Sequence, residues 1–257
     1  MLIKCSRCNL VQLNHTVKKN ILYSKDYGYR SSTNLTMKLH LKNLVKKIIN
    51  KIKLEQNDFV LDIGCNDGTL LSFYPKLVNK IGIDPIVNKI QKKKLLKVRY
   101  ISDFFNYKIY NKIPNIKKAK IITSISMFYD LDDPLKFVSN IKRILSDNGI
   151  WIMEQSYLPT MLKNNSFDTI CHEHLEYYSL NHINYLAKEN NLKIIDVYLN
   201  EINGGSFQVY LSHINSKLKI NKKNINKLLS LEKRLKINRI NTYKNFYKNI
   251  LKIKIRT

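Results

Sequence analysis

Two glycines and two acids surround a turn that could hold a small ligand. The segment LDIGCNDG (61–68) joins an apolar run to this turn. Gly64 lets the backbone come close to a ligand, because any Cβ there would clash. The turn lacks the third glycine of a dinucleotide site and the Lys-Ser/Thr pair of a phosphate loop. It therefore suits a ligand with an amino acid and a nucleoside but no pyrophosphate.

Acidic side chains recur at the ends of the next predicted strands. Asp62 can meet the ammonium of a methionine moiety, and Asp84 can accept hydrogen bonds from ribose hydroxyls. Asp103 can reach an adenine amino group, and Phe104 can pack on the base. Together they predict an S-adenosylmethionine site, against the alternatives of NAD or a turn that binds nothing. The candidate set is completed by Asn66, Gly68 and Ser126.

A second cluster, DTICHEHLEYY (168–178), follows the fifth predicted strand. His172 and His174 flank Glu173, and Tyr177 lies beyond them as a candidate substrate contact. A histidine beside a carboxylate is suited to act as a general base. The same residues could also bind a metal or serve the structure alone, and the pattern by itself leaves these three interpretations open.

Tyr129 and Asp130 follow the fourth predicted strand, on the side where a substrate would lie. The alternative is a strand end followed by a helix cap at Asp132 or Asp133.

Cys5 and Cys8 form a CxxC pair near the N-terminus. Zinc normally takes four ligands, and His15 and His40 are weak substitutes for a second pair. Two unligated thiols are the alternative. No export signal is visible, so we expect reduced cysteines and a cytoplasmic protein.

The elements that must position these residues alternate between strand and helix. The patterns predict a helix over 38–54 and strands over 59–64, 80–84, 98–102, 120–126 and 149–156, with helices over 69–77, 87–96 and 135–145 between them. Residues 157–177 are expected to be irregular, followed by a helix over 180–191, an antiparallel pair over 193–200 and 206–213, and a helical region after 216. This is an α/β fold with a doubly wound, mostly parallel, seven-stranded Rossmann-like sheet and an antiparallel edge strand.

The 257 residues carry a net charge of +26. The lysines are spread along the chain and do not interleave with aromatic residues, so we expect a solvated surface and no nucleic-acid partner. No run of 18 apolar residues is present, so no membrane association is expected.

Several stretches together resemble one family, the sugar C-methyltransferases of deoxysugar biosynthesis. The resemblance spans residues 5 to about 215. The stretches that carry it are CSRCNLVQL (5–13), YGYRSST (27–33), VLDIGCNDGTLL (60–71), GIDP (82–85), SISMFYDLDDP (124–134), EQSYLP (154–159), FDTICHEHLEYYS (167–179) and NGGSF (203–207).

The resemblance implies methylation of a nucleotide-activated, dTDP-linked 4-keto sugar through an enolate. It makes His174 the base and Glu173 its partner, and it places Tyr27, Tyr29 and Arg30 over the substrate. It also implies an N-terminal zinc domain with four cysteines. Here Cys5 and Cys8 match one pair, and Cys171 stands where relatives often carry tyrosine.

We therefore expect a partial zinc-domain-like segment over 1–37, a cofactor-binding methyltransferase domain over 38–215 and the helical start of a C-terminal domain over 216–257. The resemblance implies a longer C-terminal domain, so a separately encoded piece is an expected partner. The alternatives are an oxygen or nitrogen methyltransferase, a subunit that binds the cofactor without turnover, and a nucleic-acid-binding protein.

Overall fold

The structure is a computed structural model that describes residues 1–23, 27–90 and 98–256. Its strands are β1 (Leu2–Lys4), β2 (Val11–Leu13), β3 (Phe59–Ile63), β4 (Asn79–Ile83), β5 (Val98–Ile101), β6 (Ala119–Ile125), β7 (Leu145–Ser156), β8 (Glu176–Tyr177), β9 (Leu192–Asn200) and β10 (Ser206–His213). Its α-helices are α1 (Lys19–Leu22), α2 (Leu35–Lys51), α3 (Thr69–Ser72), α4 (Val87–Ile90), α5 (Tyr107–Asn111), α6 (Pro134–Ile144), α7 (Leu158–Asn164), α8 (Leu180–Glu189), α9 (Lys222–Arg234) and α10 (Ile240–Arg256).

Seven strands form the central sheet, in the order β5-β4-β3-β6-β7-β10-β9. The pairs from β5 to β7 are parallel, and β10 is antiparallel to both β7 and β9. The predicted mostly parallel, seven-stranded Rossmann-like sheet with an antiparallel edge is confirmed. Because β3, β4 and β6 are parallel, their carboxyl ends meet at one edge of the sheet. The strand order changes direction between β3 and β6, which is the point where open α/β sheets bind ligands.

Both faces of the sheet are covered, because its strands alternate between two hydrophobic clusters. Val60 of β3 packs with Leu44 and Ile48 of α2. Its neighbour Leu61 belongs to the cluster that contains Val138 and Ile141 of α6. The continuous apolar run in β3 is therefore what a strand buried on both faces requires.

A second sheet joins the chain's beginning to the His-Glu-His region. Its order is β1-β2-β8, and β2 pairs with β8 through Val11 opposite Tyr177. The backbone N–H of Leu13 also donates to the carbonyl of Leu175. The CxxC segment thus supports the stretch that follows His174.

Several predicted bounds differ from the structure, and one predicted helix is described only at its start. The helix expected over 69–77 ends at Ser72, because Pro75 disfavours helical backbone at the residue before it. The stretch expected to be irregular contains α7 and β8. Of the helix expected over 87–96, α4 covers the start, and residues 91–96 lie outside the described residues.

None of the helices in the described part of the chain has the length and apolarity needed to span a bilayer.

Candidate active site

A cavity of about 270 Å³ opens at the carboxyl ends of β3, β4 and β6. Its wall is completed by Lys19 and Tyr23, by Tyr27, Tyr29 and Ser31, and by Glu173 and His174. Most residues predicted for the site line it, namely Asp62, Gly64, Asn66, Asp84, Asp103, Phe104, Ser126, Tyr27, Tyr29, Tyr129, Glu173 and His174. The structure therefore brings three segments around one space. They are the glycine turn of residues 61–68, the tyrosine-rich segment of residues 27–33 and the His-Glu-His stretch of residues 172–174.

Asp62 is buried at the end of β3, and its Oδ1 accepts a hydrogen bond of 2.6 Å from the Thr123 hydroxyl. Burial raises the pKa of Asp62 to about 7, against the lowering effect of the Thr123 bond, and the nearby charge of Asp84 raises it further. A buried carboxylate without a cation is costly, so this position suits a cationic ligand group.

Asp84 ends β4 and receives two backbone donors. Its Oδ2 accepts from the N–H of Asn66 at 2.8 Å, and its Oδ1 accepts from that of Ile86 at 2.9 Å. Burial raises its pKa, and these two bonds oppose the rise. Each oxygen keeps a further lone pair for a hydroxyl donor on the cavity side.

Asn66 links the glycine turn to the tyrosine-rich segment. Its Oδ1 accepts from the N–H of Ser31 at 3.0 Å, and its Nδ2 donates to the carbonyl of Tyr29 at 3.1 Å. These two bonds hold Tyr27 and Tyr29 beside the cavity, although 35 or more residues separate the segments.

The two glycines of the turn have different surroundings. Gly64 has φ +71°, and a Cβ there would meet the Met127 side chain at 3.0 Å. Gly68 has φ +79°, but a Cβ there would lie 2.1 Å from the Tyr100 hydroxyl, and Gly68 does not line the cavity. Gly68 therefore lies against the side chain of Tyr100 in β5.

Aromatic side chains line the end of the cavity beyond β5. Phe104 is exposed, and the Tyr23 ring lies 5.9 Å from it, centroid to centroid, with an edge contact. The Lys19 ammonium lies 5.7 Å from the same ring centre. Asp103 is also exposed, and its Oδ1 accepts from the N–H of Phe104 at 2.7 Å. This end can take a flat aromatic group.

Ser126 lies just after β6 with φ +53° and lines the cavity. Its hydroxyl oxygen accepts from the Asn203 amide at 3.3 Å. Its backbone N–H donates to the backbone carbonyl of Glu154. The buried carboxylate of the same residue accepts from His40, Asn200 and Gln208. The turn that carries Asn203 is therefore tied to the sheet edge by this network.

His174 is the imidazole that the structure brings to the cavity. Its Nδ1 lies 2.8 Å from the carbonyl oxygen of Thr169. A carbonyl can only accept, so Nδ1 carries the hydrogen and Nε2 of the neutral ring holds a free lone pair. The Tyr129 ring packs on the imidazole with its centroid 4.1 Å away. Burial lowers the pKa of His174, although the Thr169 bond and the charge of Glu173 oppose this.

The carboxyl groups of Asp130 and Glu173 line the same side of the cavity. Asp130 accepts a 2.8 Å hydrogen bond from the Tyr23 hydroxyl on Oδ2. Glu173 acts on His174 through its charge, while the described hydrogen bond of Nδ1 goes to Thr169.

Besides Gly68, three predicted catalytic or substrate residues lie outside the cavity lining. His172 is exposed, and its Nδ1 lies 3.0 Å from Nε2 of His15. Tyr177 is buried in β8, where it packs with Val11 and Leu158. Arg30 donates to the backbone carbonyls of Tyr27 and Tyr29, so it stabilises the turn that carries them.

Zinc does not fit the CxxC pair as the described residues stand. Cys5 and Cys8 supply two thiols, and no group of three or more histidine, cysteine or acidic side chains among these residues is arranged to hold a metal. His15 pairs with His172, and His40 pairs with Glu154. A four-ligand site would need donors from elsewhere.

Two family comparisons match successive parts of the chain. The family described as a methyltransferase domain matches residues 37–197, more than half of the chain. The chain belongs to this methyltransferase family. Its methyl donor is S-adenosylmethionine. The family described as a C-methyltransferase C-terminal domain matches residues 201–257.

A curated relative is similar to this methyltransferase over most of the chain. The C-methyltransferase NovU of Streptomyces niveus is 28% identical over 210 residues, which are 81% of this chain and 50% of NovU. The chain therefore spans about half the length of the curated relative that it matches.

Solved structures share the fold of this methyltransferase. A chain in the complex of the Haloferax volcanii Trm112 activator with its putative methyltransferase aligns with a TM-score of 0.53 at 13% identity, over 69% of this chain and 92% of that chain. The plantazolicin methyltransferase BpumL in complex with a monoazolic desmethylPZN analog and SAH aligns with a TM-score of 0.51 at 15% identity, over 67% of this chain and 82% of that chain. LepI with SAM aligns with a TM-score of 0.51 at 16% identity, over 71% and 53%.

Other residues that line the methyltransferase cavity are absent from the predicted site, and three of them make polar or ring contacts described above. Lys19 and Tyr23 come from a segment without a chemical motif, so no sequence signal indicates them. Asn203 belongs to the NGGSF stretch (203–207), which is one of the stretches that carry the family resemblance but for which no role is predicted.

Proposed function

We propose that this methyltransferase transfers a methyl group to a carbon next to the ketone of a nucleotide-activated, dTDP-linked 4-keto-deoxysugar, in the cytoplasm. The observation that carries the proposal is His174, whose Nδ1 is held by the Thr169 carbonyl and which lines the cavity together with the cofactor turn. A neutral imidazole with a free Nε2 is a suitable base for a proton next to a ketone.

The cofactor supplies an electrophilic methyl group when it is bound. Asp62 holds its ammonium, and Asp84 accepts from its ribose hydroxyls. Asp103 and Phe104 lie at the aromatic end that takes the adenine. The buried, unneutralised Asp62 supports this assignment because it needs a cation.

The substrate carbon loses its proton to Nε2 of His174, and the electrons of the broken C–H bond form the enolate. The enolate carbon would then form a bond to the methyl carbon while the carbon–sulfur bond of the sulfonium breaks and leaves its electron pair on the sulfur of S-adenosylhomocysteine. The imidazolium returns its proton to solvent. Tyr27, Tyr29 and Tyr129 surround the sugar, and their rings favour its apolar C–H faces. A base could also take a proton from an O–H or N–H acceptor, but only transfer to carbon needs C–H cleavage, so proton exchange at that carbon distinguishes the two.

The diphosphate of the substrate lies outside the cavity in this proposal. Among the described residues that line the cavity, Lys19 is the one lysine or arginine, and it is in a 2.9 Å ion pair with Asp132. Five acidic side chains line the same space, namely Asp62, Asp84, Asp103, Asp130 and Glu173. Recognition of the nucleotide is therefore assigned to a further segment or a separately encoded C-terminal partner.

The test incubates the full chain with S-adenosylmethionine and a dTDP-4-keto-sugar and follows the sugar nucleotide by mass spectrometry. We expect a product one methylene heavier and equimolar S-adenosylhomocysteine. An unchanged sugar, with cofactor binding demonstrated by calorimetry, would contradict the proposal. The matched variant is His174→Gln, which is expected to bind the cofactor and form no product.

A further inference from the structure

Asp130 lines the cavity and has one carboxyl oxygen without a hydrogen-bond partner among the described residues. It ends the short 3-10 turn Phe128–Asp130 after β6. Its Oδ2 accepts from the Tyr23 hydroxyl at 2.8 Å, whereas its Oδ1 is shielded from solvent and has no hydrogen-bond partner among the described residues. A buried polar atom left unpaired costs about 1–3 kcal/mol, so we expect a ligand atom to form the missing hydrogen bond with this oxygen.

The surroundings of Asp130 favour its neutral form. Burial raises the pKa of Asp130 well above its usual range, the charge of Glu173 adds to the rise, and the Tyr23 bond opposes it. Lys19, the lysine that lines the cavity, is already paired with Asp132. A neutral carboxyl carries an O–H donor, and its partner must then be an acceptor oxygen.

Asp130 is connected to the proposed base, His174, through its neighbour Tyr129. It directly follows Tyr129, whose ring packs on the His174 imidazole with centroids 4.1 Å apart. Both Asp130 and His174 line the cavity. A base and a donor that line one cavity can act on neighbouring atoms of one substrate, such as a carbon and the oxygen of the adjacent ketone.

We propose that the Asp130 carboxyl, oriented by Tyr23, donates a hydrogen bond to the ketone oxygen of the substrate and stabilises the enolate. This inference rests on the proposed function. As Nε2 of His174 takes the proton from the carbon, the C–H electrons form the carbon–carbon double bond and the carbonyl electrons move to oxygen. The O–H of Asp130 strengthens its bond to that oxygen as the negative charge develops, and it relaxes when the new C–C bond forms.

The experiment measures deuterium uptake at the carbon next to the ketone. The full chain is incubated in D₂O with S-adenosylhomocysteine and a dTDP-4-keto-sugar, so that enolate formation is followed without methyl transfer. We expect Asp130→Ala to slow uptake about 100-fold, the loss typical of one such donor. Asp130→Asn keeps an N–H donor and is expected to retain uptake within about tenfold of the wild type.

The pH dependence separates a donor from a structural role. Uptake by the wild type should fall as the pH rises through the raised pKa of Asp130, and Asp130→Asn should lack this decrease. Asp147→Asn is the matched control, since Asp147 is exposed, pairs with Lys118 and lies outside the cavity lining, and its uptake should equal that of the wild type. Calorimetry with S-adenosylhomocysteine shows whether each variant is folded and binds the cofactor.

Two outcomes would overturn the inference alone. One is deuterium uptake at the wild-type rate in Asp130→Ala. The other is an Asp130→Asn variant as slow as Asp130→Ala, because the reaction would then require the negative charge of the carboxylate and not a hydrogen-bond donor. If the wild type itself shows no uptake, the proposed function fails and this inference fails with it.

Discussion

The Nδ1 nitrogen of His174 donates a hydrogen bond of 2.8 Å to the carbonyl oxygen of Thr169. This bond fixes the tautomer in which Nε2 has a free lone pair. The carbonyl that fixes it lies five residues before His174 in the chain. The backbone turn at Phe167–Thr169 therefore prepares the base.

Replacing the imidazole should remove the proton-transfer step. His174→Gln is expected to lower deuterium uptake by about 10²–10⁴-fold, the usual contribution of a general base, while cofactor affinity stays the same. His213→Gln is a matched control, because the His213 ring donates to the Leu145 carbonyl outside the cavity lining. Uptake that survives in His174→Gln would contradict the assignment of the base.

The acid limb of the pH–rate profile should lie below pH 6.5. Burial lowers the pKa of His174, so the ring stays neutral to lower pH than an exposed imidazole does. The rate of deuterium uptake should rise with pH through this lowered pKa and then level off until Asp130 ionises. A limb above 6.5 would show that a different group acts as the base.

Binding of the cofactor should release a proton from Asp62 below pH 7. In the free protein, burial raises the pKa of Asp62 to about 7, and an ammonium beside it would lower that pKa again. Calorimetry at pH 6 in buffers of different ionisation enthalpy should show the release of up to one proton, and none at pH 8.5. The Asp62→Asn variant should bind more weakly and show no such linkage.

The same carboxyl should make the free protein less stable as the pH rises. Its folded pKa lies above the unfolded value of 3.8, so the folded state binds more protons between pH 3.8 and 7, and stability falls across that range. At pH 8, Asp62→Asn should be more stable than the wild type by up to roughly 4 kcal/mol. Denaturant unfolding of Asp62→Asn and of exposed Asp147→Asn measures this, and equal stabilities would contradict the burial argument.

Removing the Asn66 amide should loosen the tyrosine-rich segment. Asn66→Ala deletes the bonds to Ser31 and Tyr29, with an expected cost of about 1–2 kcal/mol. The KM values of cofactor and sugar should rise more than kcat falls. Asn79→Ala, which removes one exposed bond to the Asn57 carbonyl, should cost under about 0.5 kcal/mol.

The cofactor side of the site is predictable from the sequence because it depends on local rules. Asp62 and Asp84 end neighbouring parallel strands, and such ends always meet at one edge of a sheet, so the strand pattern alone predicts that the two acids lie together. Gly64 follows the same strand in a conformation that glycine favours. These positions need only the strand pattern and the order of the chain.

The substrate side depends on contacts between distant segments. Tyr23 and Asp130 are 107 residues apart, and no pattern in either segment indicates their bond. Tyr177 is predicted to lie beside the substrate, but its strand pairs with β2, and the side chain packs away from the cavity. The sequence does not indicate that pairing, because β2 and β8 have only three and two residues.

The central claim is that the methyl group is transferred to carbon, and the position of a labelled methyl group tests it most directly. The full chain is given S-adenosylmethionine with a ¹³C-methyl group and a dTDP-4-keto-sugar, and the product is examined by two-dimensional NMR. We predict correlations from the labelled methyl protons to the ketone carbon and to its neighbouring ring carbon. A labelled methyl group bonded to oxygen or nitrogen, or a sugar that stays unlabelled while the cofactor binds, would contradict the account.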